Sequence, residues 1–213
     1  MGAETSREDE QSRIGRARVA AKVVYSGAAS DAAAPAPAVR EEERIVVILD
    51  MIGSTGAAER LGSVRFHALL SDVFTRLSLL VDAHGGDVHR FVGDQLIATW
   101  PLGTSEENAR AIQCVFVCSE ALEAAHCALT RQHGEALAFR AALHCGPLAA
   151  GEIGGTRREI VLLGDAMNTA ARIEQTCRTT GHDVLVSQPL VARTAMPKEI
   201  AAAGIGSHAL RGK

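Results

Sequence analysis

The apolar residues of the chain change periodicity several times, and each change predicts a different element. Glu43–Asp50 contains a nearly continuous apolar run, which predicts a strand buried on both faces. Phe66–Ala83 carries apolar residues at helical spacing, and Ser105–His133 does so after a Glu-Glu first turn. Between them, Val88–Thr99 predicts two strands joined at the turn dipeptide Gly93-Asp94. The first half therefore predicts strand, helix, hairpin, helix.

The second half continues with shorter elements. By the same criteria they are a strand at Leu137–Leu143 broken at His144–Pro147, a strand at Glu159–Leu163, a helix from Gly164-Asp165, a strand at Asp183–Ser187 and a short helix at Pro189–Ala195. This order predicts an α+β fold. Its expected form is a ferredoxin-like βαββαβ core with additional αβ elements, in which helices pack on one face of an antiparallel sheet.

The N-terminal residues differ in composition from the rest. Ala28–Val39 is rich in alanine and proline and indicates a linker. Arg13–Tyr25 has the residues for a few helical turns, and two interpretations are open: a dimerising or regulatory arm, or a loosely ordered tail. We therefore predict a tail and linker at 1–40 and one folded domain at 41–213.

Composition narrows the class of partner. The net charge of −3 and the 3% aromatic content argue against nucleic-acid binding, by backbone contact or by base stacking. The five cysteines form no Cys-x-x-Cys pair, which indicates reduced thiols, and Cys114 and Cys118 lie one helical turn apart as core residues would. No apolar run reaches the length of a membrane span, so we expect no membrane segment and a cytoplasmic protein.

Two acidic residues are placed where strands end. Asp50 closes the first strand and Asp94 lies at the tip of the hairpin. If these strands are neighbours in one sheet, both carboxylates lie at the same edge and can share divalent cations. The alternative is that each aspartate only stabilises its own turn through hydrogen bonds to the backbone.

Two further segments carry candidate chemistry. The turn Gly53-Ser54-Thr55 precedes a helix and can hold a phosphate with its backbone amides, or it is a plain helix cap. Asn168 and Arg172 are four residues apart and share one face of the later helix. For Arg172 a surface salt bridge is the alternative to a role in catalysis.

Three motifs occur one after another along the chain, and taken together they resemble those of a known protein family. They are Leu49-Asp50-Met51-Ile52-Gly53-Ser54-Thr55, Arg90-Phe91-Val92-Gly93-Asp94, and Leu163-Gly164-Asp165-Ala166-Met167-Asn168-Thr169-Ala170-Ala171-Arg172. In this order and separation they resemble the catalytic domain of class III nucleotidyl cyclases, the adenylate and guanylate cyclases. The resemblance extends from about Arg44 to Lys213.

The resemblance implies a two-metal site that joins two subunits. Asp50 and Asp94 match the metal-binding aspartates, and the backbone carbonyl of Met51 matches a further ligand, for two Mg²⁺ or Mn²⁺ ions. Asn168 and Arg172 match residues that orient the ribose and stabilise charge on the α-phosphate from the opposite subunit of a homodimer. Two divalent cations and a guanidinium suit this chemistry, because the 3′-hydroxyl must be activated and the phosphoryl charge stabilised.

The resemblance also implies how the rest of the nucleotide is held. The triphosphate is wrapped by the turn Ile52, Gly53, Ser54 and Thr55, and Lys213 matches a lysine that reaches the terminal phosphates. The positions that read the base are Arg90 and Val161, and both depart from the family pattern. Arg90 donates hydrogen bonds but cannot accept them, so the carboxylate that reads guanine is missing. ATP is therefore the favoured substrate, with loose selectivity and GTP as the alternative.

Two functional hypotheses follow, from different classes. The first is an active cyclase that works as a homodimer with two equivalent sites. The second is a cyclase-like domain that binds nucleotide or a partner without turnover, for which Arg90 and Val161 leave room. The chain is also expected to be part of a longer sensor, whose upstream region could tether it to a membrane.

Overall fold

The computed structural model describes residues 39–154 and 158–208 of the 213-residue chain. The predicted tail, the linker up to residue 38 and the candidate phosphate ligand Lys213 lie outside the described residues. The proposed domain boundary near residue 40 therefore stays a prediction.

The described residues form six strands and five helices. In chain order they are β1 (Arg40–Met51), α1 (Ser54–Leu61), α2 (Ser63–Ala83), β2 (Asp87–Val92), β3 (Gln95–Pro101), α3 (Ser105–His133), β4 (Phe139–Ile153), β5 (Glu159–Leu163), α4 (Asp165–Thr180), β6 (Val184–Val186) and α5 (Gln188–Val191). The predicted order of elements is confirmed.

The strands form one sheet in the order β2-β3-β1-β4-β5, and β6 pairs with β4. Neighbours along the main path are antiparallel, whereas β6 runs parallel to β4, and the chain passes through β5 and α4 between these two strands. The α+β class is confirmed, and β1 lies between β3 and β4 in the middle of the sheet.

The two faces of β1 are covered by different helices. Ile45, Val47 and Leu49 pack in the main core, which includes buried residues of α2 and α3. Val46 and Ile48 point the other way and pack against buried alanines of α4. The expectation that the helices share one face thus holds for α2 and α3 but not for α4. The continuous apolar run of β1 is explained by this second cover.

The fourth strand is longer than predicted. β4 has 15 residues and continues through His144–Pro147, the segment that was expected to end it. All twelve residues of β1 pair with β4, from Arg40 opposite Ala150 to Met51 opposite Phe139. A proline removes only one donor from such a ladder, so this long partner strand maintains the pairing.

The apolar helix α3 passes the length and hydropathy test for a membrane span, as buried core helices also do. It is the one helix among the described residues that does so. The apolar side chains on one side of this helix, including Ile112, Val115 and Leu122, are buried in the main core, whereas Cys127 on the same helix is exposed. Cys114 and Cys118 are buried free thiols on this helix, as predicted.

Candidate metal and nucleotide site

A row of three polar side chains crosses the sheet on the face covered by α4. Asp50 at the end of β1 pairs in register with Gln95 on β3 and with Arg140 on β4. Residues directly opposite one another in a sheet point to the same face, so the three side chains lie side by side. The amide of Gln95 donates to Oδ1 of Asp50 at 2.9 Å. This row forms the floor of the candidate site.

The second aspartate, Asp94, lies at the same edge of the sheet, meaning the side at which β1 ends and the β2–β3 hairpin turns. The backbone N–H of Met51 donates to the carbonyl of Asp94 at 3.3 Å, which joins the end of β1 to the hairpin turn. The hydroxyl of Ser54 donates to the carboxylate of Asp94. Because Asp94 directly precedes Gln95, the neighbour of Asp50, the hairpin brings the two predicted metal ligands together.

A pair of charged residues on α4 completes the surroundings of Asp50. Arg178 donates from Nη2 to Oδ1 of Asp50 at 2.6 Å and from Nε to Oε1 of Glu174 at 2.6 Å. Asp50 and Glu174 are buried, whereas the Arg178 side chain is half exposed. Burial raises the pKa of Glu174, and the hydrogen bond from Arg178 opposes that rise. Neither Glu174 nor Arg178 had been predicted from the sequence.

Arg140 is a further residue that the sequence interpretation missed. Its Nε is buried without a hydrogen-bond partner among the described residues. Its positive charge acts on Glu174, which places it within the same charged cluster as Asp50. A buried donor without an acceptor is rare and calls for a missing group. The available signal was a lone arginine within the apolar strand segment Phe139–Leu143.

The turn after β1 leads into α1, and no side chain caps the N-terminus of this helix. Gly53 has a φ of 73°, a left-handed conformation that suits glycine, and it precedes α1 without a side-chain cap bond. The N–H of Ile52 is already used, since it donates to Ala138 at 2.8 Å. The first amides of α1 therefore remain as donors for an anion, while Ser54 is engaged with Asp94. Thr55 is exposed beside it.

The predicted catalytic pair lies apart from the aspartates of the same chain. Asn168 is exposed and Arg172 half-buried on α4, whereas the residue of α4 that reaches Asp50 is Arg178. At the helical rise, Arg172 is about 9 Å and Asn168 about 15 Å along the axis from Arg178. Neither side chain has a hydrogen bond or ion pair within the described part of the chain. One chain does not bring this pair to its own Asp50.

The two base-reading candidates occupy different strands. Arg90 on β2 forms an ion pair with Glu159 on β5, a residue that had not been singled out. Val161 lies two residues further along β5 and so faces the same side of the strand as Glu159. The hydrogen-bond acceptor that Val161 lacks is therefore available from Glu159, next to the donor Arg90.

The donor set suits a hard divalent cation. It consists of the two carboxylates of Asp50 and Asp94 and the carbonyl of Met51, all oxygen donors at one edge. Among the described residues no cluster of three or more histidine, cysteine or acidic side chains forms an all-protein metal site. Mg²⁺ is commonly held by one or two carboxylates with substrate phosphates and water completing its shell, so these residues fit that ion.

This fold, with two aspartates at one edge of the sheet and α4 over the same face, is the arrangement expected of the class of nucleotidyl cyclase catalytic domains. A model of the family described as adenylate and guanylate cyclase catalytic domain matches residues 37–213, and the chain belongs to that family.

Individual relatives agree with this assignment. The chain is 37% identical over 173 residues to adenylate cyclase 2 of Rhizobium meliloti (strain 1021), covering 81% of the chain and 48% of that protein. Among solved structures, a bacterial light-regulated adenylyl cyclase is similar with a TM-score of 0.68 at 21% identity over 75% of the chain and 47% of its own. The guanylyl cyclase Cya2 is similar with a TM-score of 0.64 at 20% identity, over 76% of the chain and 89% of its own. The chain spans about half or less of the curated relatives it matches.

Proposed function

We propose that the protein is an adenylate cyclase that converts ATP to 3′,5′-cyclic AMP and pyrophosphate. The observation that carries the proposal is the convergence of Asp50 and Asp94 at one sheet edge, through their registered strands and the bond from Met51 to Asp94. Family membership supports the same activity, as does the 37% identity to a protein named adenylate cyclase.

The residues divide the reaction between them. Asp50, Asp94 and the Met51 carbonyl would hold two divalent cations, Mg²⁺ or Mn²⁺. Such ions lower the pKa of the attacking 3′-hydroxyl and neutralise the leaving pyrophosphate. The backbone amides of Gly53 to Thr55, at the start of α1, would donate hydrogen bonds to the triphosphate. Arg140 adds a guanidinium whose buried Nε has no acceptor in the described part of the chain.

The remaining catalytic groups come from a second copy of the chain. Asn168 and Arg172 lie on α4 without partners among the described residues and away from their own Asp50. Apolar side chains are exposed on the elements next to the site, namely Phe91, Val92, Ile153, Ile160 and Leu163. A symmetric dimer that covers these residues would give two equivalent sites, each with aspartates from one chain and Arg172 from its twin.

Substrate choice rests on the pair Arg90 and Glu159. Adenine offers an acceptor at N1 and a donor at its amino group, so a guanidinium beside a carboxylate can satisfy both. Guanine also carries an acceptor next to a donor, at O6 and N1, and GTP therefore remains the alternative substrate. We propose ATP because a relative that is 37% identical over 81% of the chain is named an adenylate cyclase.

The test is a direct assay of the full chain. Purified protein is given ATP or GTP with Mg²⁺ or Mn²⁺, and cyclic AMP and cyclic GMP are measured, with Asp50→Ala as control. Formation of cyclic AMP that Asp50→Ala abolishes supports the proposal. Nucleotide binding without product under every metal would instead support a cyclase-like regulatory domain. We place this activity in the cytoplasm, where the buried thiols stay reduced.

A further inference from the structure

The carboxylate of Asp50 is already paired with a cation from its own chain. Arg178 contacts Oδ1 of Asp50 at 2.6 Å, and only 3% of the Asp50 side chain is exposed. A buried carboxylate is costly unless a positive group accompanies it. In the structure Arg178 supplies that positive charge.

The position of Arg178 allows its guanidinium to bind Asp50 and also to move away from it. Half of its side chain is exposed, and it lies in the last turn of α4, close to the helix end at Thr180. Its Nε contacts Glu174 at 2.6 Å, so the guanidinium keeps one carboxylate partner when it releases the other. Since both bonds that Asp50 accepts fall on Oδ1, Oδ2 takes part in neither.

A divalent cation on Asp50 and a guanidinium on the same oxygen would repel each other. We infer that Arg178 is a positioning residue that competes with the divalent cation for Asp50, so that metal binding requires the guanidinium to move to Glu174 alone. This inference rests on the proposed function, because it takes Asp50 as a metal ligand. Arg178 thereby sets the metal concentration at which the site fills.

The test measures the binding of Mn²⁺ to the full chain in the absence of nucleotide. Binding is followed by the loss of the electron paramagnetic resonance signal of the free ion as protein is added. We expect Arg178→Gln to bind Mn²⁺ about 3- to 10-fold more tightly than wild type, the range of a partly exposed ion pair. Arg193→Gln is the matched control, because Arg193 is equally exposed and is paired with Glu43. Unchanged or weaker Mn²⁺ binding by Arg178→Gln, or equal tightening in the control, overturns the inference.

A second variant protects the test against misfolding. Arg178→Lys keeps the charge, but a single ammonium does not span two carboxylates as a guanidinium does. It should bind Mn²⁺ more tightly than wild type and less tightly than Arg178→Gln. If Arg178→Gln does not fold, Arg178→Lys decides alone, and affinity equal to wild type contradicts the competition.

Glu174 provides an independent check. Glu174→Gln removes the alternative partner, so Arg178 should hold Asp50 more firmly and Mn²⁺ binding should weaken. In the Arg178→Gln background the same change should have little effect. Equal weakening in both backgrounds would mean that Glu174 acts on the metal directly, and would contradict the exchange.

Failure of the inference differs from failure of the proposed function. If wild type and Asp50→Asn bind Mn²⁺ equally, the metal site at Asp50 does not exist and both fail. If Asp50→Asn loses the binding while Arg178→Gln matches wild type, the metal site stands and only the competition is wrong.

Discussion

The amide of Gln95 donates to Asp50 at 2.9 Å across the β1–β3 ladder, and this bond fixes the orientation of a buried carboxylate. The same register places Asp94, the residue before Gln95, at the end of β1. One strand pairing therefore both brings the two aspartates together and orients one of them.

Gln95 should accordingly tune metal binding without touching the metal. We expect Gln95→Ala to weaken Mn²⁺ binding about 10-fold, as loss of a bond that orients a ligand typically does. The Mn²⁺ titration described above measures it, with Gln113→Ala on the exposed surface of α3 as control. Wild-type affinity in Gln95→Ala would show that the neighbouring strands alone hold Asp50.

The part of the site that depends on local sequence was predictable. The turn dipeptide at Asp94 and the apolar run before Asp50 each mark a position within a few residues. Their proximity needed only the assumption that β1 and β3 are neighbours, and the register confirms it. The helices α2 and α3 followed from their apolar periodicity, with the start and end of α3 predicted correctly.

The long-range relationships were not predictable. Arg140 matters because it lies opposite Asp50, a pairing between residues 90 positions apart that no local pattern encodes. Arg178 was missed because an arginine in the last turn of a helix usually serves the helix dipole. The position of α4 on the second face follows from small residues such as Ala166 and Ala170, whose pattern is weak.

Arg140 should contribute to binding of the triphosphate. Arg140→Gln removes a guanidinium whose Nε is buried, and loss of a charge-assisted hydrogen bond weakens binding by roughly 10- to 100-fold. Calorimetry with a non-cyclisable ATP analogue measures this, with the exposed Arg131→Gln on α3 as control. If both variants bind the analogue like wild type, the orphan Nε has another explanation and Arg140 does not contact the phosphates.

Asp72 on α2 should make stability depend on acid, through its hydrogen bonds with Arg76 on the same helix and with His133 on α3. The pKa of Asp72 is lowered, chiefly by the hydrogen bond from Arg76 and also by that from His133. The unfolded chain therefore binds this proton more readily, so the stabilisation is present above the ordinary carboxyl pKa of 3.8 and is lost as the pH falls further. Asp72→Asn should lower the free energy of unfolding by about 1 kcal/mol at pH 7.

Urea unfolding at pH 7 and at pH 3 tests the direction of this pH dependence. The difference in the free energy of unfolding between wild type and Asp72→Asn should be smaller at pH 3 than at pH 7. The control is Asp82→Asn, which changes an exposed aspartate of the same helix whose side chain has no hydrogen bond or ion pair with the described residues, and it should alter stability little at either pH. A difference that grows in acid would contradict the assigned role of Asp72.

The shared site predicts that two inactive variants restore each other. Asp50→Ala breaks the metal half of a site and Arg172→Ala breaks the half given by the twin, so a mixed dimer contains one site with both lesions and one intact site. Random association of equal amounts should therefore recover about one quarter of wild-type activity, because half of the dimers are mixed and each has one working site. Cyclic AMP formation after co-expression of the two variants measures this recovery.

Asp50→Ala mixed with Asp94→Ala is the matched control. Both lesions lie in the metal half, so every site in the mixed dimer carries one of them, and no activity should return. Recovery in the control, or none in the test pair, would contradict donation of Arg172 from the second chain.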